Sequence, residues 1–240
     1  MRWRRLTHRA DNTRQSAPPF PSYPPPMPPR DPQLSLLGPE PVPTLPDADL
    51  RLHRGFLAAA DADRLLDQLL HQVAWRADVV TVYGKQHPQP RLTQWFGPPG
   101  LDYAYSGVKM APVAWPDWLI PTRARVEACS GAAFNTALAN LYRDGSDAMG
   151  WHADDEPELG RDPVIASLSL GVTRDFRLKH RHRADVPPVT LPLHHGDLLI
   201  MAGPTQHHWL HSLPRRRRVT QPRVNLTFRA LHHSPTRRRR

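Results

Sequence analysis

The chain has 240 residues, a formal net charge of +10 and 29 prolines. That length accommodates one compact domain with tails. The single cysteine, Cys129, excludes a disulfide framework and argues against a cysteine zinc site, and no apolar run reaches the roughly 18 residues that cross a membrane.

In chain order, the opening Met1-Arg2-Trp3-Arg4-Arg5 lacks the apolar stretch of a secretion signal. A cytoplasmic, nucleoid-associated location is expected, or a nuclear one in a eukaryote. Residues 17–46 hold 13 of the 29 prolines. Proline at that density favours extended polyproline segments and cannot build a helix or sheet interior, so 1–48 is expected to be a disordered extension. Leu65, Leu66, Leu69, Leu70 and Val73 recur at helical spacing and predict an amphipathic helix over 60–74. Pro121 opens, and Gly131 closes, a second predicted helix over 121–130. Beyond Ala133 the pattern changes to short strands at 136–142, 164–170, 175–178, 189–193, 197–201 and 223–230, separated by turn residues. Helices followed by many strands indicate an α+β domain with helices packed on one side of a sandwich or barrel. The folded part is expected to run from 49 to 232, with a basic tail at 233–240.

Fourteen histidines make metal binding worth testing. A His-x-Asp pair with a distant histidine is the facial triad of non-haem Fe(II) oxygenases, which leaves further positions open for a cosubstrate and O2. Two such pairs occur, His152-Ala153-Asp154 and His195-Gly196-Asp197. The second sits at a tight turn feeding an apolar strand, where an aspartate serves the backbone. The first lies in a polar cluster after a strand, where sites usually sit, and is the preferred pair. His207, His208 and His211, read as a loop after strand 197–201, are the candidates for the third ligand, and spacing does not choose among them.

The stretch 223–229 alternates strictly. Arg223, Asn225, Thr227 and Arg229 share one face, and Val224, Leu226 and Phe228 the other. With the apolar side in the core, two arginines would face a cavity, and bidentate guanidinium groups suit the carboxylates of a small diacid. The charge points to a polyanionic partner, with Arg215 to Arg218 and Lys85 as phosphate contacts.

Taken together these segments resemble the AlkB-type nucleic-acid dioxygenases. The resemblance rests on Asn140-Leu141-Tyr142-Arg143-Asp144-Gly145, Trp151-His152-Ala153-Asp154-Asp155-Glu156, His208-Trp209-Leu210-His211-Ser212-Leu213-Pro214 and Arg223 to Arg229, and spans roughly 75–232. It implies a double-stranded β-helix, or jelly-roll, core over about 133–232, flanking helices, and a nucleotide-recognition lid over about 75–110. It implies that His211 completes the Fe(II) triad with His152 and Asp154. It also implies that Arg223 and Arg229 hold 2-oxoglutarate, aided by Asn140, Tyr142, Asn225 and Thr227. Val82-Tyr83-Gly84-Lys85 is similar to a finger hairpin of the duplex-DNA subgroup. The segment Leu101-Asp102-Tyr103-Ala104-Tyr105 is similar to its lid, although Tyr105 stands where phenylalanine is usual. Tyr83, Gly84, Lys85, Tyr103, Tyr105, Asp155 and Glu156 are therefore the expected substrate contacts. The implied reaction is O2-dependent oxidative dealkylation of N-alkylated bases in DNA; separately, the chain is expected to be a monomer. The alternatives are action on RNA or tRNA, or a non-catalytic basic binding module.

Overall fold

A computed structural model describes residues 42–82, 85–101, 103–105 and 108–232. Its strands are β1 (Asp49–His53), β2 (Val79–Val82), β3 (Lys85–Pro88), β4 (Leu92–Phe96), β5 (Tyr103–Tyr105), β6 (Val108–Met110) and β7 (Thr136–Tyr142). They continue with β8 (Met149–His152), β9 (Ile165–Gly171), β10 (Arg174–His180), β11 (Val189–Leu193), β12 (Leu198–Ala202), β13 (Trp209–Leu213) and β14 (Arg223–Arg229). The helices are α1 (Ala59–Gln72), α2 (Ile120–Ser130) and the single turn α3 (Thr205–His208).

Two antiparallel sheets form the sandwich. The larger has the order β1-β12-β9-β14-β7-β4, and the smaller β11-β10-β13-β8. Each central strand of the larger sheet divides its side chains between two layers, as its period of two requires. Ala166, Leu168 and Leu170 of β9 and Val224, Leu226 and Phe228 of β14 pack with Leu65 and Leu69 of α1. The opposite faces meet the smaller sheet through Trp95, Leu138, Ile165, Phe176, Leu178 and Met201. α1 forms where its leucine stripe predicts. Gly131 ends α2 in the left-handed region, at φ 74°, a conformation that costs glycine little.

The structure departs from the sequence reading in four places. Val42, Leu45 and Ala48, inside the expected extension, pack against the second core cluster, and Trp209 Nε1 donates to Pro46 O at 2.9 Å. Proline forbids a hydrogen-bonded ladder there but not side-chain burial. Strands also precede residue 133: β1 pairs with β12, and β4, inside the span read as lid, pairs with β7. β8 was not foreseen as a strand. His211 lies on β13 rather than in a loop, and His207 and His208 lie on α3. The remaining lid segments form two separate two-stranded ribbons, β2-β3 and β5-β6. Tyr83 and Gly84 lie outside the described residues, as do the side chains of Lys85, Tyr103 and Tyr105 and the tail 233–240. Among the described residues no helix is long and apolar enough to cross a membrane.

Gly145, in the turn after β7, donates its N–H to Val219 O and accepts from Arg216 N–H, at 2.8 and 2.7 Å. A Cβ there would collide with the Arg216 carbonyl. Gly145→Ala should therefore cost about 1–3 kcal/mol, the usual range for overpacking. Gly150→Ala, whose Cβ meets nothing within 4 Å, should stay within about 0.5 kcal/mol. Urea titrations of the two variants measure the contrast.

Candidate metal and cosubstrate site

His152 and His211 are directly opposed in the β8–β13 register, so their side chains leave the same face of the smaller sheet. Their ring centroids are 4.1 Å apart with the planes at 61°. Asp154 follows the end of β8 and sets Oδ2 4.0 Å from His211 Nε2. One ligand atom from each of the three residues lies within 4.8 Å of the others.

Their surroundings fix the protonation states. His152 Nδ1 lies 2.9 Å from Gly150 O. A carbonyl only accepts, so Nδ1 carries the proton and Nε2 presents its lone pair. Burial, with His152 and Arg229 acting in the same direction, lowers the His211 pKa to about 3 despite Asp154. Burial likewise lowers His152. Both rings are thus neutral at physiological pH, as metal ligands must be. For Asp154 burial acts upward, but Arg229, His211 and His152 outweigh it and hold the carboxyl below its ordinary value. Arg229 Nη2 donates to Asp154 Oδ1 at 2.7 Å, and Gln206 Oε1 accepts the Asp154 N–H at 2.9 Å. Asp154 Oδ2 is buried without a hydrogen-bond partner. An orphaned carboxylate oxygen beside two imidazole lone pairs is a donor set that fits Fe(II).

The rival groups resolve differently. Asp197 accepts from the backbone N–H of Gly55 and His194 and from Arg54 Nη1. His195 Nδ1 accepts from Gly171 N–H. That pair ties turns together. A second cluster, Asp47, His180 and His208, also has ligand atoms within 4.8 Å. There His180 Nδ1 accepts the N–H groups of His182 and Arg183 at 3.2 and 3.0 Å. The ring proton therefore sits on Nε2, directed at Asp47 Oδ2 3.3 Å away, where a metal would need a lone pair. His207 reaches Asp162 instead.

The cleft beside the triad lies between the sheets, and Asn140, Tyr142, Arg223, Asn225, Thr227 and Arg229 all line it. In register, Arg223 faces Tyr142, Asn225 faces Asn140, and Arg229 faces Thr136. Arg229 is committed to Asp154 at the metal end. Arg223, at the other end, is 2% exposed. It donates to Ser169 Oγ at 2.9 Å, stands over the Tyr142 ring at 5.5 Å, and leaves a buried Nε without a partner. Among the described residues no carboxylate lies within ion-pair distance of it. Burial lowers its pKa to about 10, so it remains a cation at neutral pH. Asn225 is occupied structurally. Its Nδ2 donates to Ser167 Oγ and Leu168 O, and its Oδ1 accepts from Thr227.

Three residues were absent from the expected site: Ser167, which lines the cleft, and Ser169 and Arg91, which hydrogen-bond to residues that line it. Ser167 and Ser169 alternate with Ala166, Leu168 and Leu170 along β9, a period-two signal that would have found them. Arg91, buried, donates from Nε to Asn140 Oδ1 at 2.8 Å. Two of the expected substrate contacts are not among the residues lining the cleft. Asp155 pairs with Arg181 at 2.6 Å, and Glu156 leads into the turn at Pro157–Leu159.

Comparison with known proteins decides the family. The model of the 2OG-Fe(II) oxygenase superfamily matches residues 49–229. The chain belongs to this superfamily. Within it the chain is AlkB-type: it is 42% identical over 192 residues to "Alpha-ketoglutarate-dependent dioxygenase alkB homolog 3" of Mus musculus, covering 77% of this chain and 66% of that protein. It is 44% identical over 181 residues to "DNA oxidative demethylase ALKBH2" of the same species, covering 72% and 76%, and 42% identical to its Homo sapiens counterpart over 181 residues. The chain thus spans about two thirds of the alkB homolog 3 relatives. The solved structure "The structure of OsALKBH1" superposes with a TM-score of 0.57 at 19% identity, covering 75% of this chain and 97% of that one, which supports the jelly-roll fold. An oxygenase of this superfamily uses Fe(II), 2-oxoglutarate and O2, and the His152, Asp154 and His211 cluster is a donor set that fits the iron.

Proposed function

We propose that this oxygenase removes alkyl groups oxidatively from bases in DNA. The observation that carries the reading is the buried Arg223 cation, without a carboxylate of its own, in the same cleft as the His152, Asp154 and His211 triad. A binding module has no use for a buried cation that lacks a carboxylate partner beside a candidate metal site.

His152, Asp154 and His211 would hold Fe(II), which with 2-oxoglutarate and O2 supplies the oxidising power when bound. Arg223, with Ser169 and Tyr142 beside it, grips the far carboxylate of the diacid. Arg229 keeps Asp154 ionised and oriented, and Gln206 fixes its backbone. The apolar walls, Leu138, Phe176, Met201 and Leu213, keep bulk water away. One oxygen atom enters the N-alkyl C–H bond. The resulting hemiaminal loses an aldehyde and returns the N–H of the base, while the other oxygen leaves in succinate along with CO2. A base inside a duplex is inaccessible, so it must be extruded or already unpaired. Tyr83 is assigned to fill the vacated stack, and Tyr105 to cover the extruded base against His152.

The test is to incubate the protein with Fe(II), ascorbate, 2-oxoglutarate and oligonucleotides bearing N-methylated adenine or cytosine, as single strands, duplexes and RNA. The expected result is loss of one methylene unit in mass, with formaldehyde and succinate released in equal amounts. Succinate release without any change in the oligonucleotides would reject nucleic acid as the substrate.

A further inference from the structure

Trp151 immediately precedes His152, yet alternation turns it to the opposite side of the smaller sheet. His152 faces His211 across the inner surface, and Trp151 lies on the outer one, 39% exposed. It is the only phenylalanine, tyrosine or tryptophan exposed among the described side chains. A single exposed apolar residue means little by itself, but this one has a defined setting. On β10, Phe176 and Leu178 point into the core, so Asp175, Arg177 and Lys179 point outward. Arg177 pairs in register with Ser212, and Lys179 with Leu210. Trp151 reaches across β13 to both cations: Lys179 Nζ is 4.6 Å and Arg177 Cζ 5.8 Å from its ring centre.

The charge on this face is not compensated. Asp175, its acidic member, is taken by Arg216. Neither Arg177 nor Lys179 has a carboxylate within ion-pair distance among the described residues. The Arg216 contact also anchors the turn that carries exposed Arg215, Arg217 and Arg218 at one end of the column, while Arg181, paired with Asp155, lies just past the other. The outward column from 175 to 179 runs about 13 Å.

We propose that this outer face binds an unpaired nucleic-acid strand, stacking a base on Trp151 and holding its phosphates with Arg177 and Lys179. The proposal rests on the nucleic-acid reading above and deepens it, placing an unpaired strand on the outer side of β8, whose inner side carries the first metal ligand. The energies favour the exchange. An exposed cation over an aromatic ring is held more weakly than a base stacked on an aromatic side chain. The cations give up the ring and gain phosphates. A base inside a duplex cannot make this contact because both of its faces are already stacked.

The experiment measures binding of unmodified fluorescent oligonucleotides, single-stranded and duplex, by anisotropy over a range of salt, using the full chain. Trp151→Ala should weaken single-strand binding roughly 5- to 150-fold, the equivalent of one stacked base, and Trp151→Phe should recover most of it. Arg177→Gln with Lys179→Gln should lower the slope of log affinity against log salt by about 1.4, the value for two lost phosphate contacts on a single strand. Single-strand affinity for Trp151→Ala within a factor of about two of the parent would overturn the proposal. So would equal losses on single strand and duplex. Because no turnover is involved, these outcomes are separate from those of the demethylation assay, and a protein that dealkylates DNA while Trp151→Ala binds normally would retain its function and lose only this surface.

Discussion

Asp154→Asn should abolish Fe(II)-dependent consumption of 2-oxoglutarate and lower stability as well. The amide has the shape of the carboxylate but not its charge. It offers iron a neutral oxygen in place of the orphaned Oδ2 and leaves Arg229 beside a neutral partner. Removing groups that merely support a metal ligand costs roughly 10–100-fold in metal affinity, and loss of the anionic ligand itself should exceed that. Breaking a buried ion pair from one side typically costs on the order of 3 kcal/mol. Two measurements check these expectations: iron titration of the apo-protein and its urea unfolding. If the variant still turns over 2-oxoglutarate within about tenfold of the parent, the assignment of Asp154 is wrong. The tenfold limit corresponds to only 1.4 kcal/mol, too little for losing a ligand.

Arg223→Met should separate cosubstrate binding from folding, with opposite signs. A charge-assisted hydrogen bond contributes about 1.5–3 kcal/mol, so KM for 2-oxoglutarate should rise roughly 10- to 150-fold. Without cosubstrate the same change removes a buried cation whose partners among the described residues are Ser169 Oγ and the Tyr142 ring. Exchanging such a group for an apolar side chain of similar volume is often neutral or stabilising. The apo-protein should therefore melt no lower than the parent, while 2-oxoglutarate should no longer raise the midpoint. A variant that unfolds readily and still responds to 2-oxoglutarate would mean that Arg223 is a structural residue and that the diacid is held elsewhere.

How much of this was legible in the chain depended on whether a residue's partners are near in sequence. β14 was readable because seven consecutive residues alternate without interruption, and both of its faces are buried as the alternation requires. Context separated His152 and Asp154 from His195 and Asp197, and the hydrogen bonds of Asp197 give the physical reason. Other strands hid for identifiable causes. In β13 the inward positions are Trp209, His211 and Leu213, and a histidine in the middle breaks the apolar signal. β8 is four residues long and contains Gly150. β4 is buried at every position, so its Thr93 and Gln94 mimic a loop. In β1, Leu50 and Leu52 alternate cleanly but follow a run of prolines. The choice of His211 over His207 and His208 came from resemblance alone, since only the pairing of β13 with β8 sets it opposite His152.

Among the described residues the two small ribbons, β2-β3 and β5-β6, are laddered to neither large sheet. Paired strands of that size are marginal by themselves, whereas β14 is locked between β9 and β7. The parts expected to touch the base and the parts that would activate oxygen thus belong to different mechanical regimes. Residues on the ribbons can be exchanged, lengthened or reshaped at little cost to the frame. A lineage could acquire a new lesion preference while inheriting an unaltered oxidative engine.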